Sequence, residues 1–147
     1  MLELQTVRFG TIPIQEDKVI SFPKGILGFT WNKNYILLPH GENSPFLWLQ
    51  SAEDGDLAFV VMSPTYVKTD YTIDIEQDVL DELGTDQTED LEILCIVSIP
   101  QGKPEDMTIN LLGPIIINAR SRCAVQVITD TGKYSHRYPV LAGKNAG

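Results

Sequence analysis

Few side chains in this sequence are placed to do chemistry: two cysteines, two histidines and one turn rich in acids. A thiol becomes a nucleophile or metal ligand as its thiolate, which needs nearby positive charge or a ligand set at the right spacing. Cys95 lies inside Leu91-Glu92-Ile93-Leu94-Cys95-Ile96-Val97-Ser98-Ile99, an apolar run where a thiol is a small hydrophobe with a raised pKa. Cys123 has Arg120 and Arg122 close by, charges of the sign that lowers a thiol pKa, although a structural role is the better reading. The pair shows no C-x-x-C spacing and no histidines arranged for zinc, and it suits a reducing cytoplasm.

His40 lies in a Pro-Gly loop and His136 in a polar C-terminal segment, and no nucleophile motif surrounds either; both read as surface histidines. Glu53-Asp54-Gly55-Asp56 offers hard oxygen donors around a turn, the chemistry of calcium. It lacks the distal glutamate of an EF-hand and reads as a hairpin turn in which Gly55 permits a positive φ. Gly25-Ile26-Leu27-Gly28 has no lysine to make it a phosphate loop, so an ordinary turn before Phe29 and Trp31 suffices. No enzyme activity, metal site or cofactor is expected.

Charge is the stronger signal. Between Asp70 and Asp106 stand twelve carboxylates and one cation, Lys103, a net −11 in a chain whose total is −9. Direct binding to nucleic acid is disfavoured, because it needs cations that displace counterions from phosphates. A basic protein is the natural partner, since an acidic face speeds encounter with a cationic target. The bland alternative is a solvated face kept for solubility. The residues expected to meet the partner are Asp70, Asp74, Asp78, Asp81, Glu82, Glu105 and Asp106.

The elements that must position these residues are mostly short strands. At 147 residues the chain fits one domain that buries its own core. Met1-Leu2-Glu3-Leu4-Gln5 does not read as a signal peptide, and no apolar run approaches bilayer length, so neither export by that route nor a membrane association is expected. Strand-length apolar blocks recur at Val7 to Ile14, Val19 to Phe22, Tyr35 to Leu38, Phe46 to Leu49 and Leu57 to Met62. Others follow at Leu91 to Ile99, Met107 to Leu112, Ile115 to Ile117 and Ala124 to Ile128. Turn clusters separate them, among them His40 to Pro45, Pro100-Gln101-Gly102 and Asp130-Thr131-Gly132. The change of parity from Val7 and Phe9 to Ile12 and Ile14 marks Gly10 as a bulge or bend in one strand.

One helix is expected, capped by Asp74 with Gln77 three residues on, burying Val79, Leu80 and Leu83 and ending at Gly84. Its other face, Glu76, Asp78, Asp81 and Glu82, has no lysine four residues away to relieve the repulsion. The fold class is therefore mainly β, a single antiparallel domain of meandering strands whose sheet can curl or close on itself, with one short acidic helix and a flexible tail at about 139–147. Trp48 and Phe59, in runs flanking the acidic turn, are both expected in the core.

Four ordered blocks carry a family resemblance. Phe9-Gly10-Thr11-Ile12-Pro13-Ile14, Ile20 to Phe29, Ser44 to Ser51 with Leu57 to Val61, and Asp106 to Asn118 are similar to the signature blocks of the bacterial flagellar assembly factor FliW. Gly55 and Gly113 depart from the expected proline and alanine, both at turns. The resemblance implies a non-enzymatic, barrel-like cytoplasmic protein with two partners. One is the translational regulator CsrA, which represses flagellin mRNA and is released from that role when bound; the other is flagellin, which takes the protein away. Flagellin segments call for an apolar groove or sheet edge, and Ile99 and Pro100, at the end of the longest apolar strand, are the candidate contact, set against the better reading that Ile99 is simply the last core residue of its strand. A small β-barrel module for a carbohydrate or other ligand, stacking it on Trp31 and Trp48, is the alternative.

Overall fold

The computed structural model describes residues 2–39, 41, 43–129 and 132–141. His40, two residues of the expected turn at 130–132 and the expected tail beyond residue 141 lie outside the described residues. Among the described residues there are eleven strands: β1 (Leu2–Thr6), β2 (Gly10–Ile14), β3 (Ile20–Ser21), β4 (Asn34–Pro39), β5 (Phe46–Ser51), β6 (Ala58–Met62), β7 (Leu91–Ser98), β8 (Thr108–Ile109), β9 (Ile115–Asn118), β10 (Cys123–Gln126) and β11 (Tyr138–Pro139). The single α-helix, α1, is Gln77–Leu83.

Seven of the strands close into a barrel in the order β7-β6-β5-β4-β3-β10-β9. Closure occurs because one edge of β7 is divided: Leu91 to Leu94 pair with β9, and Val97 and Ser98 pair with β8, which leads on to β11. The narrowest seam is the parallel β3–β10 contact, a single registered pair of Cys123 with Ser21. Arg122 reinforces it: its carbonyl accepts the Ser21 N–H at 2.8 Å, and its guanidinium donates to the Lys18 and Val19 carbonyls.

Alternation along the strands fills the interior. Ile20 and Phe22, Tyr35, Leu49, Val61, Leu94, Ile115 and Ile117, and Ala124 form the central cluster, with Leu37, Leu47, Phe59 and Ile96 packed against it. Residues of the opposite parity, Met62, Cys95, Val97, Ile116 and Val125, face outward and are buried by a second layer. That layer is the segment around Tyr71, the stretch from Tyr134 to Val140, and α1. Tyr71 locks it by donating its hydroxyl to the Leu111 carbonyl at 2.8 Å and packing on Tyr134 at 4.5 Å between ring centroids.

Several local expectations change. Gly10 is not a bulge: β1 and β2 form a separate hairpin with Thr6 opposite Gly10, so Val7, Arg8 and Phe9 are its turn, and Gly10 (φ 66°) supplies the left-handed residue that closes it. β1, too polar to show as an apolar block, was not expected. Asp74 does not cap α1; Glu76 holds that position without a side-chain hydrogen bond, while Gly84 (φ 76°) ends the helix as expected. The tail starts pinned, because Tyr138 and Pro139 pair with β8 and the Val140 N–H bonds the Met107 carbonyl. Phe59 packs against the core, but Trp48 lies on the outer face of β5, under the edge of Phe9 and the guanidinium of Arg8.

Gly55 explains how the hairpin docks. A Cβ there would stand 1.8 Å from the Gln5 carbonyl oxygen, and the Gly55 carbonyl accepts the Val7 N–H. Glycine is needed for close approach of two backbones, not for a positive φ. In a Trp31→Phe background, Gly55→Ala should therefore cost about 1–3 kcal/mol and shift Trp48 emission to the red as the hairpin is pushed away. Unchanged melting and emission would show that the hairpin does not rest on this turn.

Candidate partner-binding site

An isolated seven-residue helix carrying four acids in or beside it would not form in water. Here α1 is held from below: Leu83 is fully buried and Leu80 nearly so, with Val79 packed against the same cluster. Its C-terminal end is fixed by the barrel, since the Leu83 carbonyl accepts Asn118 Nδ2 at 2.7 Å and Ser121 Oγ at 3.0 Å. Glu76, Asp78, Asp81 and Glu82 are thereby presented to solvent on a rigid support.

The carboxylates are less naked than the sequence suggested. Lys24, from the loop after β3, reaches Glu82 at 2.6 Å, and that hydrogen bond and charge raise the lysine pKa. The Gln77 amide donates to both Asp81 and Asp86, and Arg120 lies 3.8 Å from Asp90. Spacing within one helix could not reveal Lys24, because its contact spans fifty-odd residues of chain.

The expected acidic residues fall into separate groups. Asp74, Asp78, Asp81 and Glu82 gather at α1 and the segment leading into it. Asp70 lies in a turn and pairs with Lys68 at 3.3 Å. Glu105 and Asp106 are exposed in the short turn Pro104–Asp106, beyond the far end of the eight-residue β7 and so roughly 25 Å from its start. Ile99 and Pro100 follow β7 at that same end; Ile99 is 43 % exposed and so is not the last core position of the strand.

Sequence reasoning missed a groove of about 350 Å³ beside α1. Its lining includes Ile73, Ile75, Val79, Val127, Ile128 and Tyr134, and the fully buried Ile116 packs against the first four of these. The period-2 pattern Tyr71-Thr72-Ile73-Asp74-Ile75-Glu76 was the available signal. Its Asp74 drew attention as a helix cap instead.

The other candidate chemistry is occupied by structure. Glu53 Oε1 accepts the Lys33 and Asn34 N–H groups at 2.6 and 2.8 Å, and Asp54 accepts the Asp56 N–H, so these acids build the turn. No group of three or more potential metal-ligating side chains occurs among the described residues. Nor is any helix among them long and apolar enough to cross a membrane. His136 is exposed. Trp31 is exposed and tilts against Phe29, whereas Arg8 and Phe9 already occupy the Trp48 ring, which removes it as a sugar-stacking surface.

Burial pushes the Cys95 thiol up to about 12. Burial, and then the Glu82 charge, also raise Cys123. The arginines expected to act the other way point elsewhere, Arg120 to Asp90 and Arg122 to the Lys18 and Val19 carbonyls. At pH 8, iodoacetamide should leave Cys95 unlabelled in the folded protein and modify Cys123 more slowly than free cysteine. Labelling of Cys123 at the free rate, read by mass spectrometry, would mean that its thiolate is stabilised after all.

Comparison with known proteins agrees with this architecture. The profile of the family described as FliW protein matches residues 3–140. The flagellar assembly factor FliW of Caldanaerobacter subterraneus subsp. tengcongensis is 43% identical over 141 residues, covering 95% of this chain and 93% of that protein. That of Magnetococcus marinus is 36% identical over 140 residues, covering 95% and 85%. A crystal structure of the flagellar assembly factor FliW superimposes with a TM-score of 0.85 at 30% identity, covering 94% of this chain and 96% of that one. With a seven-stranded barrel, one short helix and a family match along nearly its whole length, the chain belongs to the FliW family and is a flagellar assembly factor, not an enzyme.

Proposed function

We propose that this FliW protein is a cytoplasmic partner switch: it holds the basic translational regulator CsrA, relieving repression of flagellin mRNA, and gives it up when flagellin binds. The observation that carries this reading is the rigid acidic face of α1, where Asp78 and Asp81 stand exposed on a helix kept in place by Leu80, Leu83 and Asn118. Like charges held this close destabilise the helix, so their presence is better explained by a cationic partner than by stability. Long-range attraction raises the association rate, while exposed ion pairs at the rim add little to the final affinity. Glu105 and Asp106, at the opposite end of β7, sit beside Ile99 and Pro100 and serve a second contact, offered to an unfolded apolar segment of flagellin. Neither partner role involves direct contact with nucleic acid.

Glu82 is best left intact in a test, because it pairs with Lys24. Reversing Asp78 and Asp81 to lysine should slow CsrA association and flatten its dependence on salt, while melting stays within about 0.5 kcal/mol of the parent. An unchanged association rate in a folded variant would move the CsrA contact off α1. If the partners compete, each must weaken the other by one common factor. Titration with each in the presence of the other measures both factors, and a stable ternary complex with unchanged affinities would rule out switching.

A further inference from the structure

The segment from Tyr71 to Glu76 has the pattern of a strand without a neighbour. Ile73 and Ile75 pack inward, Thr72, Asp74 and Glu76 are exposed, and Glu76 is extended at φ −70° and ψ 155°. The segment belongs to no sheet, and no hydrogen bond from the described residues reaches the backbone of Ile73, Asp74 or Ile75. Thr72 is different. Both of its backbone groups meet the Tyr134 hydroxyl, which accepts the N–H at 3.1 Å and donates to the carbonyl at 2.7 Å.

In an antiparallel ladder every second residue of a strand exchanges both bonds with its neighbour, so the phenol stands where a partner strand's first pair would be. The next position along that edge is Asp74, and the edge borders the groove lined by Val127 and Ile128. We propose that the Asp74 edge docks an extended segment of a partner protein as an added strand, continuing from the point where the Tyr134 hydroxyl ends. This rests on the partner-binding reading above and adds a contact distinct from the outer face of α1.

The chemistry of the occupant follows from the edge. A residue opposite Asp74 projects its side chain outward beside that carboxylate, and opposite charges across strands attract, so this residue is a lysine or arginine. Its two neighbours point inward, towards the groove lined by Val127 and the exposed Ile128, and are aliphatic. A second copy of the chain is a poor occupant: each copy carries −9, and the strand Leu2-Glu3-Leu4-Gln5 would bring another acid. Residues 142–147 carry no apolar side chain larger than alanine and would leave Val127 and the exposed Ile128 uncovered.

The probe is a synthetic octapeptide alternating lysine and valine, added to the full chain and followed by amide hydrogen exchange. The Asp74 amide should exchange freely in the unliganded protein and slow by about tenfold or more with peptide. N-methylation of the lysine amides should abolish binding, whereas N-methylation of the valine amides should not, because only the lysine amides face Asp74. Asp74→Pro, which removes the donor, should weaken peptide binding about tenfold relative to Asp74→Asn, which keeps it. An Asp74 amide already protected in the free protein, failure of the peptide to bind, or equal binding of the lysine-methylated peptide would each overturn the proposal. Binding of CsrA or flagellin without the peptide effect would sink the added strand alone; the peptide effect without binding of either protein would sink the partner assignment alone.

Discussion

Strand β7 has two edges, and the fold depends on how one of them is shared. Leu91 to Leu94 pair with β9, which closes the seven-stranded barrel, and Val97 and Ser98 pair with β8, which carries β11 and the C-terminal segment. A small barrel must be filled by its own side chains, so closure dictates which parity of every strand points inward. Leu94 and Ile96 face the interior, while Cys95 and Val97 face out and need a second layer. That layer is where Tyr71, Tyr134 and α1 are set in place. The surface offered to partners is thus a consequence of how the outer face of the barrel is covered.

Two devices keep the acidic face in position at low intrinsic stability. α1 is too short and too negative to persist alone, and its permanence comes from Leu80, Leu83 and the Asn118 amide. Lys24 approaches from the opposite side of the β3–β10 seam and neutralises Glu82 without covering Asp78 and Asp81. The seam itself is the weakest contact of the barrel, one parallel pair strengthened by Arg122, whose φ of 59° is uncommon for a side chain of that size. Helix, seam and the loop bearing Lys24 therefore meet in one region, and a disturbance of any of them reaches the acidic surface.

Much of this was legible in the chain. The apolar blocks at Tyr35 to Leu38 and Phe46 to Leu49 lie within strands, and those at Leu57 to Met62 and Leu91 to Ile99 each contain one, because alternation and flanking turns are local signals. Gly84 was read correctly as a helix stop for the same reason. Phe9 and Gly10 were misread, since a parity change looks alike whether it comes from a bulge or from a hairpin turn, and only the pairing of Thr6 with Gly10 separates them. β1 went unseen because Glu3 and Gln5 interrupt its apolar pattern, and β11 because two residues carry no period.

By itself the sequence determined the class of fold, the cysteines as unactivated thiols, the concentration of charge between Asp70 and Asp106, and the four blocks that mark the family. These depend on composition and on neighbours a few residues apart. Tertiary structure alone decided that Glu82 has a partner in Lys24, that Arg8 and Phe9 cover Trp48, that Gly55 must be glycine, and that Glu76, not Asp74, stands at the start of α1. Each of those contacts joins segments distant in sequence, and which segments meet is set by barrel closure and strand register, long-range constraints that no local period encodes.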